Sequence, residues 1–245
     1  RWLRRMNREY PGNERMEEGD YWIGMGLLFD KQYEAATDAF DHFLATYPES
    51  PYFEDARFRR AVCDYGLSKF RAAERRLQVF VRNYPESKLL GEAFMMLADV
   101  AANFGELPAA VDRFQTALEH PLNIEHYNYC SFRCGEILYE LKRYQDLIVH
   151  FQVYLADERE GLNKPQAIYW IVRGLAAQEK HAEALAYLRK SVTKYGSDRK
   201  ALGVDMLLDE WINLSKKVSE DVRNTAWANL GELMDTAEES GDLTL

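Results

Sequence analysis

Tyr47-Pro48-Glu49-Ser50 returns thirty-seven residues later as Tyr84-Pro85-Glu86-Ser87, and thirty-seven residues earlier the chain reads Tyr10-Pro11. The same step carries Ala36 to Ala73, Ala110, Leu147 and Ala184, and Phe40 to Leu77, Phe114, Phe151 and Leu188, with no insertion or deletion. A fixed period of roughly 20–50 residues marks a repeat array, in which each unit buries its apolar face only against its neighbours. The period therefore predicts one elongated repeat domain over 1–245.

The seven prolines punctuate that period. Pro11, Pro48, Pro85 and Pro121 end predicted helices, whereas Pro51, Pro108 and Pro165 open the next ones, with Ser50 placed to cap the helix after it. Proline inside a helix costs about 3 kcal/mol, so its confinement to boundaries defines them. First helices are expected near 17–29, 53–66, 88–104, 125–141 and 165–179, and second helices near 33–46, 70–83, 107–119, 144–156 and 181–195. A longer helix near 199–217 and a last one near 219–239 should follow, the latter with Val222, Ala226, Leu230, Leu233 and Ala237 on one stripe, as a terminal cap requires. Small residues at Gly24, Ala61, Ala98, Gly135 and Val172 precede the Ala36 series by twelve positions, so the two helices of a unit should cross closely there.

Composition bounds the function. The chain carries 40 acidic and 31 basic residues, a net charge of −9, which argues against nucleic-acid binding through phosphates. It has no apolar run of about 18 residues or more and hence no membrane span. Arg71–Arg76 is rich in arginine, but Glu74 interrupts it and it reads as a solvated helix face. Arg1 is not a start methionine, and Trp2–Tyr10 falls in the register of a second helix; the parent protein is expected to continue upstream, with any leader or lipid-attachment site there.

A small residue, a gap of twelve, an alanine, an aromatic four later and a proline eight after that resembles the tetratricopeptide repeat (TPR). Gly24/Ala36/Phe40/Pro48 and Ala61/Ala73/Leu77/Pro85 carry the resemblance, and Ala98/Ala110/Phe114/Ala117 nearly so. Arg159 and Gly196 replace the proline of the fourth and fifth units, and Val172 replaces the small residue of the fifth. The Tyr-Pro-Glu-Ser ending is similar to that of bacterial envelope TPR proteins, a subgroup with a Tol–Pal-associated coordinator and an outer-membrane-assembly lipoprotein. The resemblance implies an all-α, right-handed solenoid of helix hairpins with a C-terminal capping helix. Its units would be a truncated repeat at 1–11, repeats at 17–50, 54–87, 91–124, 128–161 and 165–198, and repeat-like and capping helices at 199–245. It also implies a periplasmic or envelope-associated location, with a cytoplasmic one as the alternative.

In such repeats the first helices line a concave face. The resemblance places there Tyr21, Met25, Leu28, Asp55, Phe58, Val62, Tyr65, Met95, Asp99, Phe132, Glu136, Tyr139, Tyr169 and Arg173. One large apolar residue per unit, the series Tyr21, Phe58, Met95, Phe132 and Tyr169, is equally what stacking of adjacent units would use, and both readings stand at this point. Acidic residues outnumber Arg173 on these positions, so a basic partner is expected.

Catalytic and cofactor readings find little support. No Gly-x-Ser-x-Gly, phosphate loop or paired-His zinc helix occurs. His126, Cys130 and Cys134 share a helix face, but three ligands without a fourth make a structural role the better reading, and neither a metal nor a cofactor is expected. Two classes remain: a non-catalytic scaffold that binds a peptide or protein segment on the concave face, and a spacer or self-associating element whose aromatic ladder is filled internally.

Overall fold

The computed structural model describes residues 16–195, 210 and 212–224. Among them helices follow one another as α1 Met16–Phe29, α2 Tyr33–Thr46, α3 Phe53–Gly66, α4 Phe70–Asn83, α5 Leu90–Asn103, α6 Leu107–Leu118, α7 Ile124–Glu140, α8 Tyr144–Ala156, α9 Lys164–Ala177 and α10 His181–Tyr195. Each sequence period holds one helix hairpin, and no strand occurs among the described residues. The expected helices lie within two residues of these bounds. Of the two expected later helices, residues 210, 212–215 and 220–224 are helical among the described residues, and the expected cap beyond 224 lies outside them.

The chain divides into two compact units that part between His126 and Tyr127, inside α7. In unit 1, Tyr21, Met25, Phe40 and Phe43 form one buried cluster, and Phe58, Leu77, Phe80 and Leu97 form another. In unit 2, Ile168, Val172, Leu185 and Leu188 are covered by Leu214, with Val218 at the edge. Residues 212–224 thus supply apolar surface to the last hairpin.

Every hairpin turn uses one backbone device. Lys31, Ser68, Gly105, Lys142 and Glu179, each thirty-seven residues from the next, have φ of 57°, 58°, 75°, 57° and 63°. Each left-handed residue ends a first helix in a Schellman motif: the Lys31 N–H donates to Leu28 O at 2.9 Å and the Gln32 N–H to Leu27 O at 2.9 Å, and the pattern recurs at Ser68, Gly105, Lys142 and Glu179. The next residue then begins the second helix, its carbonyl accepting from the amide of Ala36, Ala73, Ala110, Leu147 or Ala184. Only Gly105 takes this conformation without steric penalty; the other four side chains stay in it because both flanking helices fix it.

The small residues of the first helices meet aromatic rings. A Cβ on Gly24 would lie 2.8 Å from Phe40 Cε1, and one on Gly135 would overlap the Phe151 ring while lying 3.4 Å from Leu147 Cδ1. Room made by the glycines is thus taken chiefly by the residue sixteen positions on, and only secondarily by the residue twelve on. Ala36, Ala73, Ala110, Leu147 and Ala184 are all fully buried.

The Tyr-Pro-Glu-Ser ending closes each hairpin on itself. The Tyr47 hydroxyl donates to Asp20 Oδ2 at 2.9 Å, and the Ser50 hydroxyl hydrogen-bonds Glu17 while accepting the Tyr52 amide at 3.1 Å. Ser87 repeats this with Glu54 and the Leu89 amide. Ser50 therefore does not take the N-cap position expected of it: its hydroxyl accepts the Tyr52 amide in the turn before the helix, Tyr52 holds the N-cap, and α3 begins at Phe53. Where the third unit has Gly91 in place of glutamate, the loop moves onto the glycine, and a Cβ there would lie 2.8 Å from Pro121 O. In the fourth, Asn128 donates to Gly161 O at 2.9 Å and accepts the Tyr154 hydroxyl at 2.5 Å.

Candidate partner-binding surface

In unit 1 part of the expected surface is used in packing. Tyr21 is 6% exposed, stacks on Tyr52 with ring centroids 4.5 Å apart, and donates to Asp55 Oδ2 at 2.6 Å. Burial, reinforced by the Asp55 hydrogen bond, pushes its phenol well above the ordinary tyrosine range. Met25 is buried in the same cluster and Leu28 packs against it. Phe58 is fully buried and packs on Phe80. Tyr21 and Phe58 of the one-per-unit series, and Met25 beside them, thus lie in the contacts between helices.

What unit 1 leaves reachable on its first helices is smaller and more polar. Asp55 is half-buried and also accepts Arg59 at 3.2 Å. Val62, Tyr65 and Met95 pack against the Phe58 cluster with part of each side chain outside it. The Tyr65 ring meets Phe70 edge-on at 5.5 Å, and Asp99 is buried to 8% exposure.

Unit 2 brings three expected residues to one place. Arg173 donates from Nη1 to the Tyr169 hydroxyl at 3.3 Å and from Nη2 to the Tyr139 hydroxyl at 3.4 Å. Its guanidinium lies 4.9 Å from the Tyr139 ring centroid and 5.5 Å from that of Tyr169, within cation–π range. Tyr139 is braced edge-on against Trp170 at 5.5 Å. These residues line a cleft of about 590 Å³ together with Glu210, Asn213, Lys216 and Lys217. The cleft is open to solvent and its lining is more polar than apolar. Phe132 is spent on Phe151 and Tyr154, each 5.4 Å away, and Glu136 is held by Arg133 at 2.5 Å.

Asn213, Lys216 and Lys217 were not among the expected site residues. They follow the last unit that keeps the period, so no register assigns them a face; the Lys216-Lys217 pair at a helix end is the available signal. With Arg173 they give this cleft three basic side chains against the one carboxylate of Glu210.

The remaining reactive groups are structural. Cys130 and Cys134 are fully buried, while the His126 amide donates to Asn123 Oδ1 at 2.8 Å at the start of α7. Among the described residues no group of three His, Cys, Asp or Glu side chains could hold a metal ion. Burial pushes the Cys63 thiol up to about 11, which leaves it protonated at neutral pH.

Consecutive helix pairs at a fixed period, with the small residues Gly24 and Gly135 crossing the Phe40 and Phe151 rings, define a tetratricopeptide-repeat fold. Residues 9–125 match the family model YfiO, described as an outer membrane lipoprotein. The fold is similar to the crystal structure of MamA, with 17% identity, a TM-score of 0.57, and coverage of 76% of this chain and 95% of that one. It is similar also to YrrB, described as a TPR protein with an unusual peptide-binding site, at 17% identity and a TM-score of 0.55 over 84% of this chain and 98% of YrrB. A putative kinesin light chain with nearly identical TPR-like repeats aligns at 12% identity and a TM-score of 0.52, over 76% of this chain and 99% of that one. No curated protein matches the sequence. Among the described residues no helix is long and apolar enough to cross a membrane.

Proposed function

We propose that this chain is a non-catalytic protein–protein interaction scaffold that takes a peptide or protein segment on the face of its first helices. The observation that carries the proposal is the unit 2 cleft, where Tyr139, Tyr169 and Arg173 converge beside Asn213, Lys216 and Lys217. Rigid aromatic walls offer contact area at small entropic cost, and Arg173, held by two phenols, keeps hydrogen-bonding capacity for an incoming carbonyl or carboxylate. Unit 1, taken by itself, offers Val62, Tyr65 and Met95 beside Asp55, and the excess of acidic residues on the first helices favours a basic stretch of the partner. YrrB's described peptide-binding site supports such use of the fold, and the match to an outer membrane lipoprotein family supports an envelope-associated location.

The spacer reading keeps one supporting observation, the burial of Tyr21, Met25 and Phe58 between helices. Affinity capture from the native cell extract separates the two, comparing the chain with a Tyr65→Ala/Tyr139→Ala variant of matched melting temperature. Loss of a captured protein from the variant supports the scaffold; equal capture by both, or capture only of further copies of the chain, overturns it.

A further inference from the structure

Glu74, which breaks the arginine run in sequence, does not break it in space. Its carboxylate is only 8% exposed at the residue level and turns toward Arg71 at 3.1 Å and Arg113 at 3.5 Å. The outer side of α4 is left to Arg75, Arg76 and Val79. These face Arg57 and Arg60 of α3 across a cleft of about 570 Å³ that α2 closes with Asp41 and Leu44.

The charges in this cleft do not cancel. Arg60 is paired with Asp41 at 2.8 Å and with Asp64 at 2.7 Å, and Arg76 with Asp64 at 2.8 Å. Asp41 and Asp64 thus serve two arginines, while Arg57 and Arg75, which line the same cleft, make no ion pair among the described residues. Arg57 lies over the Phe53 ring, 5.1 Å from its centroid, and Val79 is 45% exposed beside it. That cation–π contact holds the Arg57 guanidinium beside the ring, and Arg75 is exposed on α4. In a chain of net charge −9, two uncancelled arginines around an apolar floor are a local reversal of the surface field.

We propose that the cleft between α2, α3 and α4 is a second interaction site, one that takes an acidic segment of a partner protein with an apolar side chain between its carboxylates. The carboxylates pair with Arg57 and Arg75, and the apolar side chain enters over Leu44, Phe53 and Val79. This chemistry differs from that of the first-helix surface, where Asp55 calls for a basic partner, and the site stands whether or not that surface binds. Nucleic acid fits less well: it offers phosphate at a regular spacing and no apolar side chain to enter over Leu44, Phe53 and Val79.

The test uses a fluorescein-labelled peptide of one phenylalanine flanked on each side by four glutamates, its lysine counterpart, and a single-stranded DNA of equal charge. Fluorescence anisotropy is followed with the intact chain and with an Arg57→Glu/Arg75→Glu variant of unchanged melting temperature. The expected result is binding of the acidic peptide that weakens at least tenfold in the variant and falls as salt is raised, with no binding of the lysine peptide. Equal binding of both peptides, an unchanged affinity in the variant, or tighter binding of the DNA than of the acidic peptide would overturn the proposal. So would self-association of the chain in sedimentation that disappears in the variant, because the occupant would then be a second copy.

Discussion

The hydroxyl of Tyr21, on the first helix of one hairpin, donates to the carboxylate of Asp55 on the first helix of the next at 2.6 Å. Two residues that the repeat register offers to a partner are therefore bound to each other. A hydrogen bond to a charged group contributes about 1.5–3 kcal/mol. Tyr21→Phe, which keeps the ring against Tyr52, is expected to lower stability in urea denaturation by about 1–2 kcal/mol, the low end because Asp55 is partly solvated. Peptide capture should not change with it.

Gly135 and Gly26 form a matched pair for testing the helix crossing. Gly135→Ala places a methyl against the Phe151 ring and should cost about 1–3 kcal/mol through overpacking. Gly26 lies in α1 with nothing within 4 Å of an added Cβ, so Gly26→Ala should stabilise by about 0.5–1 kcal/mol. Thermal melts of the two variants should shift in opposite directions.

The left-handed turn residues predict another pair of opposite signs. Lys142→Gly removes the steric penalty at φ 57° and is expected to raise stability by about 0.5–1 kcal/mol after the extra unfolded-state entropy of glycine is subtracted. Gly105→Ala, at φ 75°, should lower it by about 1 kcal/mol. Denaturant midpoints measured at constant m-value check both.

Alkaline pH should weaken the fold through specific phenols. Burial pushes Tyr47 up to about 12, helped by its hydrogen bond to Asp20, and burial pushes Tyr154 up to about 12. A phenol with a folded pKa above its unfolded value of about 10 contributes stability that is complete below that pH and is lost as pH rises through the folded pKa. Absorbance at 295 nm should show late-ionising tyrosines, and the melting temperature should fall between about pH 10 and 12. Tyr47→Phe should flatten that fall.

The hairpins were legible because two independent signals coincide. Proline marks the loops and the thirty-seven-residue step marks the faces, and together they place α1 to α10 within two residues. The turn residues were less legible. Lys31, Ser68, Lys142 and Glu179 are not the glycines that a left-handed turn advertises, and only their common spacing reveals them.

At the candidate site, Tyr139, Tyr169 and Arg173 could be read from register alone, because each lies on a first helix at a repeated position. Register could not separate Tyr21 and Phe58 from them, since a ring at that position serves packing or binding according to the volume of its neighbours. Asn213, Lys216 and Lys217 lie beyond the last residue that keeps the register. The outer arginine cleft is drawn from three helices, and Glu74 turns out of it only in three dimensions.

The serine–glutamate links at Ser50–Glu17 and Ser87–Glu54 each span thirty-three residues, and Tyr21–Asp55 spans thirty-four. Each loop they close is thus about one repeat long, so the entropy of closure is met locally, hairpin by hairpin, and not by a search along the whole chain. A chain stitched at that interval is expected to fold quickly for its length and, under load, to open hairpin by hairpin, with Glu17–Ser50 and Glu54–Ser87 as links that each hold one repeat to the loop closing it.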